Sequence, residues 1–179
     1  DYAVTGVQTC ALPISGSGAS GALLSGVVLN AAYFALARGL LNWLPGDGAA
    51  VFGLGVVLIA WSVVTSILAI LYAFQEEDWR KLLNLSTAEN AAIAAAALGA
   101  ALLFRHAGLP LLAGLAWAVA LLHLAGHGLA KGALLLCADG VYHATGKFLI
   151  RQAGLVRRGG GLLALGALVA AMSLAAMPP

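Results

Sequence analysis

Three residues in the stretch Leu121–Cys137, LLHLAGHGLAKGALLLC, have types and spacing that could do chemistry: His123, His127 and Lys131. They recur at i, i+4 and i+8, so on an α-helix they stack along one face. At about 1.5 Å rise per residue the three heads span roughly 12 Å along the axis. Everything around them is apolar. Imidazoles titrate near neutral pH and take or release a proton cheaply. A charged Lys at the centre of a membrane span costs on the order of 2.5–3.5 kcal/mol, and such a residue normally faces a protein interior or a water-filled cavity. The row therefore points to a proton path inside a membrane. The bland alternatives are a Lys that snorkels to the interface and two packed, inert histidines.

An HxxxH pair can also hold a metal or a haem. A metal needs further ligands, and no Asp, Glu or Cys cluster stands nearby in sequence. Haem needs an apposed ligand on a second helix, and His106 and His143 sit at loop edges. No metal or cofactor is expected. Glu89 and Asn90 open the third apolar stretch, as N-terminal caps or as a charge partner for Lys131. Asn30 is a polar point that could bond across helices, hold a water or act as a relay. Asp139 suits pairing with a nearby cation. There is no Walker A loop, dinucleotide fingerprint, CxxC pair or nucleophile elbow, so ATP hydrolysis, NADH binding and iron–sulfur ligation have no support.

The elements that must position this row are membrane helices. The chain of 179 residues is 62% hydrophobic and 9% charged, against about 25% charged in an ordinary soluble domain. Too few polar residues remain to cover a soluble surface. The net charge of +2 is small, and no basic patch with interleaved aromatics suggests nucleic acid. Cys10 and Cys137 match no metal or disulfide spacing. We expect an all-α, multi-pass transmembrane bundle of about five spans: 21–44, 49–74, 85–104, 109–142 and 161–177. The second is rich in β-branched residues, but a lone strand cannot satisfy its backbone in lipid. Ser86 or Thr87 is expected to cap the third. The fourth is too long for one perpendicular crossing, and Gly126, Gly128 and Gly132 could permit a bend. PGDG at 45–48 and RHAG at 105–108 read as turns.

Residues 1–15 do not fit the rest. VTGVQTCALPI looks like the translation of a sequencing-library adapter, so 1–15 is expected to be non-native and 16–179 to be part of a transporter domain. The stop at Pro178–Pro179 with no polar tail suggests truncation. The charged loops 75–84 and 143–160 hold Arg80, Lys81, Lys147, Arg151, Arg157 and Arg158, while the opposite side holds Arg38 and Arg105. By the positive-inside rule these two loops are cytoplasmic.

Several stretches resemble the proton-conducting transporter family. This comprises the antiporter-like subunits of respiratory NADH-quinone oxidoreductase, the large cation/proton antiporter subunits and the membrane subunits of group 4 hydrogenases. LHLAGHGLAKGALLL, 122–136, is similar to the family's helix with two histidines and a lysine. DWRKLLNLSTAEN, 78–90, resembles its loop and helix start, and GALLSGVVLNAAYFALAR, 21–38, an earlier helix. The Glu-Asn pair, HATG at 143–146 and AGL at 153–155 are most similar to the hydrogenase-4 and formate hydrogenlyase branch. Many members carry Lys or His at the position of Asn30.

The resemblance implies a proton-translocating subunit of the cell (inner) membrane with no redox chemistry and no cofactor of its own. Its partners would be membrane and peripheral subunits of a hydrogenase or quinone-oxidoreductase complex, the lipid bilayer and protons. The fragment would hold roughly the second half of a proton-channel module and would not pump alone. The family's earlier Glu- and Lys-bearing helices would lie upstream of residue 16, and its late discontinuous helix would begin at 161–177. His123, His127, Lys131 and Glu89 would handle protons, with Asn30 a relay or water site. The alternatives are a cation/proton antiporter subunit without a redox partner and an inert membrane scaffold.

Overall fold

The computed structural model describes residues 17–43, 48–146 and 160–174. They form an all-α, multi-pass membrane bundle: α1 (Gly18–Trp43), α2 (Ala49–Ala73), α3 (Trp79–His106), α4 (Pro110–Thr145) and α5 (Gly161–Leu174). The first four are long and apolar enough to cross a bilayer, and α5 is a shorter apolar helix. The segment 1–15, the turn residues 45–47, most of the 143–160 loop and the last residues 175–179 lie outside the described residues.

Local chemistry sets the helix ends. Ser17 caps α1, its Oγ accepting the Ser20 amide at 3.3 Å. Asp78 caps α3, its Oδ1 accepting the Arg80 amide at 2.8 Å while Oδ2 pairs with the Arg80 guanidinium at 3.0 Å. This corrects the expected cap at Ser86 or Thr87 and the expected start of the span at 85. Residues 79–84 are helix because Trp79, Leu82 and Leu83 recur at i, i+3 and i+4 and join the core beside α4 and α5. Glu89 therefore lies beyond the first turn of α3, which carries no acidic residue. A dipole role at the helix start is ruled out, because that effect fades within one turn. Pro110, which needs no amide partner, opens α4. Gly146 closes it in the left-handed region at φ 69°.

α4 is the hub. It packs against α1, α3 and α5, while α2 packs chiefly on α3. It runs unbroken for 36 residues through Gly126, Gly128 and Gly132. Gly128 serves packing rather than a break. A Cβ there would stand 2.9 Å from Asn30 Nδ2 and 3.1 Å from Gly26 O, so the backbones of α1 and α4 touch at this crossing. Small residues allow such close approach between membrane helices. Gly55 and Gly99 play the same part between α2 and α3.

Two apolar clusters flank the middle of α4. One joins Tyr33, Ala37, Ala94, Leu98, Ala120 and Leu124. The other joins Leu83, Leu134, Leu135, Ala138, Ala167 and Ala170. His127 and Lys131 sit between them.

Candidate functional site

The helix period of α4 delivers the predicted row to one place. His127 is 4% exposed and Lys131 is 1% exposed. His123 is half-buried. The two imidazoles lie nearly parallel, 18° apart, with ring centroids separated by 6.3 Å. Among the described residues, His127 Nδ1 and Nε2 and His123 Nε2 are buried with no hydrogen-bond partner. Buried polar atoms are nearly always bonded to protein or ordered water, so these nitrogens have bonding capacity to spare. Lys131 differs: its Nζ donates to the backbone carbonyl of Leu83 on α3 at 3.2 Å. No carboxylate among the described residues stands within ion-pairing distance of it. Glu89, also on α3, lies beyond that distance.

A cavity of about 220 Å³ opens beside the histidines, lined by Asn90, Leu122, His123, Gly126, His127, Ser173 and Leu174. At ~30 Å³ per water it has room for several. It joins α3, α4 and α5, and four of its seven lining residues are polar enough to hold water in place. Asn90 donates back to Ser86 O at 2.8 Å, which leaves its amide oxygen for another partner. Ser173 was not foreseen. The signal available was a lone hydroxyl in an otherwise apolar span.

The remaining polar residues find partners across helices. Asn30 Nδ2 donates to Gly26 O at 2.8 Å in its own helix and to Leu124 O of α4 at 3.3 Å, while its Oδ1 is buried and unbonded. Asp139 accepts the Gly18 amide at 3.1 Å, so a side chain of α4 caps α1, and it lies 3.9 Å from His143. Ser25 meets Thr87 at 2.9 Å between α1 and α3.

The transmembrane family described as NADH:quinone oxidoreductase/Mrp antiporter matches residues 11–179. The chain belongs to this family. Hydrogenase-4 component B of Escherichia coli is 30% identical over 158 residues, 88% of this chain and 23% of that protein. An uncharacterized protein of Mycobacterium tuberculosis is 35% identical over 138 residues, 76% of this chain and 21% of that protein. The chain thus spans less than a quarter of the length of these curated relatives. Within this family the chain contributes a buried lysine, a pair of imidazoles with unbonded nitrogens and a cavity against them.

Proposed function

We propose that this chain is part of a proton-translocating subunit of a redox-driven complex in the cell (inner) membrane, of the hydrogenase-4/formate hydrogenlyase or NADH-quinone oxidoreductase type. One observation carries the reading: a lysine and a histidine are buried on the same face of α4, with both histidine nitrogens left unbonded. A fully buried Lys has a cost that packing alone does not explain. The name of the Escherichia coli relative favours a hydrogenase complex.

On this reading, protons enter through water in the cavity, pass between His123 and His127 and reach Lys131. The ring centroids lie 6.3 Å apart and the rings share no hydrogen bond, so the route we propose runs through water between them. Glu89 supplies a compensating negative charge from α3. Asn30, whose amide does not titrate, holds a water with its free Oδ1 instead of carrying a proton itself. Other subunits perform the redox steps. Segments 75–84 and 143–160 face the cytoplasm, a reading supported by Arg80 and Lys81 in the first turn of α3 and by Lys147, Arg151, Arg157 and Arg158 in sequence.

The test is Lys131→Ala in the full-length protein assembled in its complex, with proton uptake into inverted membrane vesicles as the readout. We expect uptake to be lost while the complex still assembles. Uptake at the wild-type rate would refute the role. The family also includes Mrp-type antiporters, so the competing reading is a cation/proton antiporter subunit. A dependence of proton uptake on sodium rather than on the electron donor would favour it.

A further inference from the structure

The carbonyl of Leu83 is called on by more donors than it can serve. In an α-helix it accepts the amide of Thr87. The Thr87 hydroxyl also donates to it at 2.9 Å, and Lys131 Nζ donates to it at 3.2 Å. A carbonyl oxygen offers two lone pairs. The hydroxyl and the amine therefore compete for the second. The hydroxyl has another partner within reach: Ser25 Oγ lies 2.9 Å from Thr87 Oγ1, and either oxygen can be the donor. Ser25 is 3% exposed and belongs to a π-helical turn, Leu24–Val28, inside α1. Such turns inside α-helices frequently sit at functional sites. Here the turn carries a hydroxyl from a third helix to the α3–α4 contact.

We propose that Thr87 is a positioning residue for Lys131, a hydroxyl that turns between Leu83 O and Ser25 Oγ and so yields the carbonyl to the lysine or takes it back. The inference rests on Lys131 carrying protons. With the amine docked, Thr87 donates to Ser25. When the amine swings toward His127, Thr87 donates to Leu83 O and accepts from Ser25. Neither position of the lysine leaves the carbonyl's second lone pair or the two hydroxyls without a partner. The hydroxyls remove a penalty that would otherwise hold the lysine in place.

The test uses three variants of the full-length protein in its complex, Thr87→Val, Thr87→Ser and Ser25→Ala, beside Lys131→Ala. Assembly and proton uptake are both measured. Thr87→Val is expected to slow uptake about tenfold, as loss of one buried hydrogen bond implies, and Thr87→Ser to restore it. Ser25→Ala is expected to give a smaller loss. Should Thr87→Val fail to assemble, Ser25→Ala decides, and a wild-type rate in it overturns the inference. Thr87→Ser as slow as Thr87→Val also overturns it, because shape rather than the hydroxyl would then matter. If Lys131→Ala abolishes uptake and Thr87→Val leaves it unchanged, only the positioning role falls. If Lys131→Ala leaves uptake unchanged, the proton-carrying role falls with it.

Discussion

The two ends of the α4 row are made of similar parts and treated in opposite ways. At one end Lys131 is buried and held by a backbone carbonyl. At the other, His123 and His127 have unbonded nitrogens and line a cavity with polar walls. Both ends lie on one face of one helix, so the periodicity of α4 does not account for the difference. The neighbours do. Leu83 on α3 presents an acceptor to the lysine, whereas Asn90, two turns further along α3, presents an open space to the histidines. The proton path proposed above would use this asymmetry.

The widest-reaching way to break the comparison is to destroy both ends at once. Gly128→Val places a branched side chain where a single Cβ already meets Gly26 O at 3.1 Å. We expect the α1–α4 crossing to open and the protein to fail to accumulate in membranes, as measured by immunoblotting. Next, His127→Leu removes the open end's buried imidazole while keeping an apolar side chain in the core. Uptake should fall by roughly 10²-fold, at the low end of what positioned proton-transfer groups contribute, with assembly unchanged. His123→Gln sharpens the comparison further. The ring is half-buried at the cavity, where water can stand in for it, so the loss of uptake should be clearly smaller than for His127→Leu. An equal loss would mean that the two rings work as one unit. Smallest is Asp78→Ala, which removes the cap of α3 and touches neither end. It should cost ~1 kcal/mol of stability, seen as a lower melting temperature in detergent, with uptake unaltered.

The row itself was legible because i, i+4, i+8 spacing survives any packing of the helix that bears it. The long apolar stretches were legible for the same reason, being set by composition and length. The start of α3 was misread because charge was given more weight than period: Glu76, Glu77, Asp78, Arg80 and Lys81 look like a loop, yet Trp79, Leu82 and Leu83 already follow the helical repeat. That error carried Glu89 to a helix end where it does not lie. Asn30 was legible as a cross-helix bond, and its partner was not, because the carbonyl of Leu124 has no side chain to announce it. The Leu83 carbonyl escaped notice for the same reason. Ser25, Thr87 and Ser173 share a signal, although the sequence reading takes Thr87 only as a cap. Each is a small hydroxyl in an apolar helix, and each turns up at a polar contact or cavity wall.

The touching backbones of Gly26 and Gly128 also bear on how fast the row can respond. Two main chains in contact have no rotamers to exchange, so α1 and α4 are joined where neither can yield. Helix sliding belongs to the microsecond-to-millisecond range, whereas side-chain turns reach down to picoseconds and nanoseconds. With the crossing fixed, the swing of the lysine, the turn of the hydroxyl and the exchange of water proposed above would all belong to the faster range.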